Sequence, residues 1–414
     1  MYQLPKVDRT KIAASPRGMV WLLAALVAVG PFSVDTYLPS FADIALSLQS
    51  TPLQVQQTLT AYLLTSTLMT LWHGAISDAI GRRRLLLTTV IIYAVASLGC
   101  TLAPNIGTLW FFRAIQGMTA GAGIIVGRAI VRDLYQGAEG QRVISQIMMI
   151  FAIAPVIAPL FGGWMQTWFG WRSVFASLLL FSALLALVCW FRLPETLPSF
   201  QRRSLKPREL GRSYWQVFTS RPFLLICSAL ALNFAGFFVY VVSAPILLMT
   251  HLHLPSTSFL WLFAPAMSGL LIGSFLAGRL AETLSAVRTI VLAYALMTAA
   301  ALSNIVINLS MPPGLPWSVL PLFGFTLGMA LVMPCLTLMA LDLFPEQRGL
   351  AASCQMFIQS ACNTLIAGVA APLLWNSPLN LAYGMGVCML LGAVAIFSQL
   401  KWGGETSVQV VSWP

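Results

Sequence analysis

The chain has 414 residues, of which 58% are hydrophobic and only 8% are charged, and its formal net charge is +11. An ordinary soluble domain has roughly 25% charged residues, so this composition excludes a soluble enzyme, a disordered chain and a fibrous protein. The apolar residues form long continuous runs, which also excludes the alternating pattern of an outer-membrane β-barrel.

Twelve apolar runs are long enough for a membrane helix, which needs roughly 20 residues. They cover residues 18–39, 55–75, 85–103, 107–130, 143–165, 172–191, 222–246, 258–280, 287–308, 317–340, 348–374 and 380–400. Basic residues precede the first run as in a signal peptide, but its length and the runs that follow predict a retained helix. We therefore expect an all-α polytopic membrane protein with 12 transmembrane helices.

The basic residues predict the orientation of these helices. If the N-terminus is cytoplasmic, nearly all of the 23 basic residues fall in inner segments, beginning with Lys6, Arg9, Lys11 and Arg17. Such a positive-inside distribution predicts that both termini are cytoplasmic. It also accounts for the net charge, so nucleic-acid binding is not expected.

The longest polar segment, residues 192–221, divides the chain into an N-terminal six-helix half, 1–191, and a C-terminal six-helix half, 222–414. A six-plus-six arrangement favours two repeated halves that rock around a central site. The segment itself carries seven basic residues, among them Arg203 and Lys206. We interpret it as a solvated cytoplasmic linker near anionic lipid rather than as a binding element.

A charged motif separates the second and third runs and reads Gly74-Ala-Ile-Ser-Asp78-Ala-Ile-Gly81-Arg82-Arg83-Arg84. Glycines allow a tight turn where helices meet closely, and the aspartate can start a helix or pair with an arginine. A positive-inside signal alone would explain the arginines but not the spacing of the other residues. The spacing resembles motif A of the major facilitator superfamily, with Ala79 where that family has a basic residue. The resemblance implies a cytoplasmic conformational latch formed by Gly74, Asp78, Gly81, Arg82 and Arg83.

The fourth run contains Arg113, which costs several kcal/mol inside a membrane unless it is paired or hydrated. Gln116 lies three residues further and shares its helix face. The surrounding sequence resembles motif B of the same superfamily, whose arginine is associated with proton coupling. The alternative is a structural arginine that holds the helix packing through carbonyl groups.

Asp35 is the only acidic residue clearly inside a run. It falls in the outer half of the first helix, at the depth of Arg113, so the two charges are expected on opposite sides of one cavity or paired across it. Burial and a neighbouring arginine act in opposite directions on the protonation of a carboxyl group, and such a balance suits loading and release of a proton. A structural ion pair or a boundary acid is the alternative.

The fifth run contains two prolines four residues apart, Pro155 and Pro159, followed by Gly162 and Gly163. Prolines bend a helix and free carbonyl groups, and small residues allow another helix to approach. The run resembles motif C, the antiporter motif, with Ala158 where the family more often has glycine. The resemblance implies export by antiport, and ordinary kinking and packing is the alternative.

Three further segments narrow the resemblance. They resemble the Bcr/CflA drug-resistance branch of the superfamily. The three are Asp35-x-Tyr37-Leu38-Pro39, the segment from Arg128 to Tyr135 and the segment from Arg348 to Ser353. That branch implies proton-driven efflux of small amphiphilic or antibiotic-like molecules across the bacterial inner membrane. A metabolite transporter of the same fold and a non-transporting membrane sensor remain alternatives.

Polar residues within the runs are candidates for the lining of a substrate cavity. Gln355, Gln359 and Asn363 recur every four residues and form a stripe on the eleventh run, while Asn233 and Tyr240 share a face of the seventh. The stripe also fits a role in helix packing. With Tyr37 and Gln116, the candidates are Tyr37, Gln116, Asn233, Tyr240, Gln355, Gln359 and Asn363.

The sequence contains no enzyme signature. The three histidines have no plausible zinc-site spacing, and the absence of a Walker A loop excludes ATP as the energy source within this chain. We expect no catalytic residue, metal or cofactor. The expected partners are a small-molecule substrate, protons and the lipid bilayer, and the expected oligomeric state is a monomer.

Overall fold

The computed structural model describes residues 16–135, 137–202 and 207–402. The predictions that concern Lys6, Arg9, Lys11, Arg203 and Lys206 lie outside the described residues. Within them the chain is helical and has no β-strand. The helices up to residue 192 are α1 (Pro16–Asp35), α2 (Phe41–Ser47), α3 (Pro52–Thr70), α4 (His73–Ile80), α5 (Arg82–Thr101), α6 (Ile106–Ala120), α7 (Ala122–Leu134), α8 (Gly137–Phe169) and α9 (Trp171–Arg192).

Eight more helices lie beyond residue 202 in the part of the chain that the structure describes. They are α10 (Pro207–Phe218), α11 (Arg221–Val242), α12 (Leu260–Leu280), α13 (Ala286–Ser310), α14 (Pro321–Asp342), α15 (Arg348–Leu365), α16 (Ala371–Leu374) and α17 (Pro378–Trp402). The linker is therefore partly helical, because α10 begins inside it.

Among the described residues, 11 helical stretches are long and apolar enough to cross a membrane, and they correspond to eleven of the twelve predicted runs. The remaining run, 55–75, forms α3 and the start of α4. α3 has 19 residues, which span about 28 Å at 1.5 Å per residue, but its threonines and glutamines lower its hydropathy. The predicted count of twelve fits when α3 is counted by its length.

Helix boundaries follow local chemistry. Thr51 forms a capping box with Gln54 at the start of α3: the Gln54 N–H donates to Thr51 Oγ1 over 3.2 Å, and the Thr51 N–H donates to Gln54 Oε1 over 2.9 Å. Asn105 Oδ1 accepts the N–H of Thr108 in the same way at the start of α6. Such side chains satisfy the backbone donors that a first helical turn leaves unpaired.

Several predicted spans are interrupted rather than straight. The fourth breaks at Gly121, between α6 and α7, and the first ends at Asp35 before a short 3-10 turn, Leu38–Ser40. π turns occupy Ile246–His251, beyond α11, and Ile366–Ala370, between α15 and α16. Breaks of this kind are frequent at functional positions in helices.

The chain divides into two compact units, Met1–Lys206 and Pro207–Pro414. The division falls inside the predicted linker, so that the segment after α9 belongs to the first unit and α10 to the second. In the first unit α1 packs on α8, α3 on α6 and α5 on α9. In the second unit α11 packs on α15, α12 on α14 and α13 on α17. In each unit the first, second and third spans pack on the fifth, fourth and sixth, as an internal repeat requires.

Glycines set the closest helix contacts in both units. A Cβ atom at Gly117 of α6 would overlap the backbone of Tyr62 in α3, and one at Gly273 of α12 would overlap the backbone of Leu327 in α14. Helices in a membrane associate through this kind of close backbone approach, because burial of apolar side chains gains nothing there relative to lipid.

Candidate functional site

Asp35 is the last residue of α1 and is 5% exposed. The chain turns directly after it: the Thr36 N–H donates to Phe32 O over 3.2 Å, and the Ser40 N–H donates to Tyr37 O over 3.0 Å. Among the described residues, no hydrogen bond or ion pair engages the Asp35 carboxylate. The helix end therefore holds a nearly buried acid that has no fixed partner in this structure.

Arg113 of α6 is fully buried. Its Nη1 donates to Ser33 O over 3.1 Å and to Gln116 Oε1 over 2.9 Å. Three aromatic rings surround the guanidinium group, with ring centroids 4.8 Å (Tyr37), 4.5 Å (Tyr62) and 5.9 Å (Phe175) from its Cζ. The rings stabilise the cation through their negative faces.

Two of the guanidinium nitrogens, Nε and Nη2, are buried without a hydrogen-bond acceptor among the described residues. Buried polar groups are nearly always hydrogen-bonded, and an unpartnered one costs free energy. Arg113 therefore keeps donor capacity that a group arriving from elsewhere can use.

A hydrogen-bond network fixes the orientation of Arg113. Gln116 accepts from the guanidinium group and donates from Nε2 to Ser97 Oγ over 2.8 Å. Ser97 in turn donates to the carbonyl of Tyr93, whose hydroxyl group contacts the hydroxyl group of Ser33. The network joins α1, α5 and α6, and the predicted sharing of a face by Arg113 and Gln116 appears here as a direct contact.

Asp35 and Arg113 do not form an ion pair. No carboxylate oxygen of Asp35 lies within 4.0 Å of a guanidinium nitrogen of Arg113, although Arg113 binds the carbonyl of Ser33, only two residues before Asp35. Of the two expected arrangements, pairing is absent from this structure. The two groups belong to one neighbourhood at the end of α1 but remain separate.

Gly162 of the predicted antiporter motif lies where α8 packs against the chain at the end of α1. A Cβ atom at Gly162 would overlap the backbone of Thr36, the residue after Asp35. Ala158, one turn earlier, is fully buried, and the buried Gly163 accepts a hydrogen bond from Thr167. Pro155 and Pro159 lie inside α8 just before this contact. The small residues therefore bring α8 against the chain beside the acid.

The predicted latch centres on Arg82, whose side chain is only 7% exposed. Its Nη1 lies 2.5 Å from Asp78 Oδ1 and 2.9 Å from Ser77 Oγ, and its Nε lies 3.3 Å from Asp133 Oδ2. Its backbone N–H donates to Glu195 Oε1 over 2.9 Å. We call these residues, Ser77, Asp78, Arg82, Asp133 and Glu195, the Arg82 hub. The hub joins α4, α5, the end of α7 and the segment after α9.

The other motif residues differ in their roles. Gly81 has a φ of 104°, which a side chain rarely adopts, and a Cβ atom there would overlap the Glu195 carboxylate. Gly74 has only Ile125 nearby, at an ordinary 3.8 Å. Arg83 donates from Nη2 to the carbonyl of Trp190 over 2.6 Å and stacks on the ring of that residue. Gly81 is thus required by both backbone conformation and space.

Sequence reasoning did not identify Asp133 and Glu195 as partners of Arg82. Both are acids at the ends of predicted spans, so charge placement could have singled them out. Their convergence on one arginine depends on the packing of α5 against α7 and on the course of the chain after α9.

The predicted cavity residues fall into two groups. Tyr37 is fully buried, with its hydroxyl group against Thr58, and Gln116 is used in the Arg113 network. Asn233 and Tyr240 are buried against α13: Asn233 Nδ2 donates to the hydroxyl of Tyr294 over 2.8 Å, and Asn304 Nδ2 donates to that of Tyr240 over 2.6 Å. These four residues hold helices together within their own unit.

The polar groups of the stripe on α15 take less part in hydrogen bonds than those of the other four residues. Gln355 donates to Thr337 Oγ1 over 3.3 Å, Gln359 is half-buried, and Asn363 Oδ1 is buried without a donor among the described residues. These side chains retain polar groups for other partners. Across the described ranges, no three His, Cys, Asp or Glu side chains come together as a metal site would require.

The family described as the Major Facilitator Superfamily matches residues 21–372. The chain belongs to this superfamily. Its fold and family are those of membrane transporters and not of enzymes, which confirms the resemblance found in the sequence.

Individual superfamily members give further detail. The chain is 31% identical to an uncharacterized MFS-type transporter, YdgK, of Bacillus subtilis (strain 168), over 92% of this chain and 95% of the relative. It is 27% identical to a bicyclomycin resistance protein homolog of Haemophilus influenzae, over 91% of this chain and 94% of that relative. The latter supports the drug-resistance branch. A crystal structure of a bacterial homolog to the human lysosomal transporter Spinster, inward-facing and occupied, shares the fold with a TM-score of 0.68 at 17% identity, covering 97% of this chain and 100% of that chain.

Proposed function

We propose that this protein exports small amphiphilic, antibiotic-like molecules across the bacterial inner membrane in exchange for protons, by alternating access. The observation that carries the proposal is the nearly buried Asp35 without an ionic partner, beside an Arg113 that has two unused donors. Drug resistance in the name of a relative supports the substrate class.

Asp35 is the proposed proton carrier. A carboxyl group with few polar neighbours is far cheaper to bury protonated than ionised. In a conformation that hydrates the end of α1, the same group can lose its proton, so its surroundings couple protonation to conformation. The contact of Gly162 with Thr36 places α8 where a movement of that helix changes the surroundings of Asp35.

Arg113 is proposed to stabilise the deprotonated form of Asp35. Its Nε and Nη2 groups have no acceptor among the described residues, and an ionised Asp35 is a charged acceptor on the adjacent helix. A charge-assisted hydrogen bond between them would be stronger than a neutral one. Proton binding would break this pair, and a substrate that binds better to the deprotonated form would in turn release the proton, as exchange requires.

Substrate contacts are proposed for Gln355, Gln359 and Asn363, because their polar groups are the least committed of the predicted set. Tyr37, Gln116, Asn233 and Tyr240 are proposed to position helices instead. An amphiphilic molecule needs a few polar contacts and an adaptable apolar surface, which the aliphatic and aromatic residues of a membrane helix bundle can supply.

The Arg82 hub is proposed as the cytoplasmic latch, with two halves, 1–191 and 222–414, joined by the segment 192–221 and with both termini in the cytoplasm. Asp78, whose side chain is 45% exposed, pairs only with Arg82 within the hub and so retains room for a second contact in another conformation. We expect Asp78→Asn to raise the accessibility of cysteine reporters on the inner side and to lower it on the outer side. Equal accessibility in the variant and the wild type would remove the latch role.

The test of the proposed function compares two carboxylates eight residues apart. Asp35→Asn removes the nearly buried acid, and Asp43→Asn removes an exposed acid on α2 as the matched control. Substrate-induced proton release from the purified protein, and uptake of fluorescent drugs into proteoliposomes with an imposed pH gradient, are measured for both. We expect Asp35→Asn to lose both signals and Asp43→Asn to keep them.

Two results would contradict the proposal. Normal proton release from Asp35→Asn would move the proton site elsewhere. Gradient-dependent uptake of one polar metabolite, with no drug uptake, would favour the metabolite transporter, and no flux of any compound would favour the membrane sensor.

A further inference from the structure

The helix α10 has two unlike faces. Its inner face packs on α11 and α15, where Val217 is fully buried and the ring of Phe218 lies 5.7 Å from that of Phe357. This packing fixes the rotation of the helix about its axis, so the opposite face is held outward.

The outward face carries Arg208, Arg212 and Trp215. All three are exposed, and Trp215 is 71% exposed. At 100° per residue the three side chains fall within an arc of about 60°. Neither arginine forms an ion pair with an acid that the structure describes.

The position of α10 in the chain indicates what its outward face contacts. Only Thr219 and Ser220 separate it from α11, whose residues Arg221–Val242 form a candidate membrane span. α10 therefore lies at the level where the span leaves the bilayer. Residues 202–221 contain six basic residues and one acid, Glu209. Tryptophan and arginine together at this level are typical of contact with lipid headgroups, and the charge favours anionic lipid.

We propose that the face formed by Arg208, Arg212 and Trp215 binds the headgroup of an anionic phospholipid. Two arginines four residues apart on a helix are neighbours, about 6 Å apart at their Cβ atoms, so both guanidinium groups can reach one phosphate. Guanidinium groups bind phosphate oxygens with paired hydrogen bonds. The indole lies at the boundary between headgroup and acyl chains. The predicted solvated linker thus contains a lipid-binding helix.

The experiment measures lipid binding and does not depend on transport. Native mass spectrometry of the detergent-purified full chain follows titration with dioctanoyl-phosphatidylglycerol and, separately, with dioctanoyl-phosphatidylcholine. We expect the wild type to prefer the glycerol lipid. With about 1 kcal/mol for each arginine near an anionic surface, this preference should fall about thirtyfold in the double variant Arg208→Gln/Arg212→Gln.

A matched double variant removes two exposed arginines elsewhere, Arg84→Gln/Arg288→Gln, and should keep the preference. Trp215→Ala should weaken the binding of both lipids to the same extent. Arg208→Lys/Arg212→Lys should lose only part of the preference for the glycerol lipid. An unchanged preference in Arg208→Gln/Arg212→Gln would overturn the proposal. So would an equal loss in the matched control, or displacement of the lipid by inorganic phosphate at the same concentration.

Discussion

Asp133→Asn should destabilise the first unit more than Asp78→Asn, although both remove an acid that contacts Arg82. The Asp133 side chain is 21% exposed, accepts from Arg82 Nε and also accepts from Thr196 Oγ1 over 2.9 Å. Asp78 is 45% exposed and lies four residues before its partner on the chain. A charged hydrogen bond is worth about 1.5–3 kcal/mol when buried, whereas an ion pair with a solvent-exposed partner is worth about 0.2–1 kcal/mol.

Allowing for the 3.3 Å distance and partial exposure, we assign about 1.5 kcal/mol to Asp133 and about 0.4 kcal/mol to Asp78. At roughly 3 °C per kcal/mol for a unit of this size, Tm should fall by about 4 °C and about 1 °C. Thermal unfolding of the purified protein can be followed with a thiol-reactive dye, because the first unit contains the buried Cys100 and Cys189. Asp43→Asn is the control. A larger loss in Asp78→Asn than in Asp133→Asn would refute this ranking.

Three further outcomes follow from single contacts. Gly162→Ala should lower Tm by several degrees and impair transport, because the new Cβ overlaps the backbone of Thr36, whereas Gly30→Ala, with nothing within 4 Å, should be neutral in both measurements. In a double-mutant cycle on thermal stability, Asn233→Ala and Tyr294→Phe should couple by about 1 kcal/mol, and additive effects would show that their hydrogen bonds contribute nothing. Arg113→Lys should lose transport in proteoliposomes, since an ammonium group cannot at once replace Nη1, which binds Ser33 O and Gln116, and the Nε and Nη2 donors proposed for the ionised Asp35; full activity would show that charge alone suffices.

The sequence predicted those features that depend on local pattern. Runs of apolar residues predicted the spans, and the three-residue spacing of Arg113 and Gln116 predicted that they share a helix face, on which the two side chains are hydrogen-bonded. The second run was predicted from its length, yet its threonines and glutamines give it a lower hydropathy than the other eleven runs have.

Features that depend on tertiary neighbours could not be predicted in the same way. Asn233 and Tyr240 share a face, as predicted, but the pattern does not say whether that face meets a cavity or another helix, and here it meets Tyr294 and Asn304 of α13. The separation of Asp35 from Arg113 also depends on how the last turn of α1 is rotated relative to α6, which no periodicity specifies.

The Arg82 hub has a consequence for synthesis of the chain. The acceptor of the Arg82 N–H, Glu195, lies 113 residues later, and Thr196, which binds Asp133, follows it. Residues emerge from the ribosome in order. The Arg82 hub therefore lacks Glu195 and Thr196 until the sixth span has been made and the chain after α9 has packed against α5 and α7. Completion of the N-terminal half therefore requires the stretch after α9, and a half-chain ending at residue 192 should be more easily degraded in cells than one ending at residue 202.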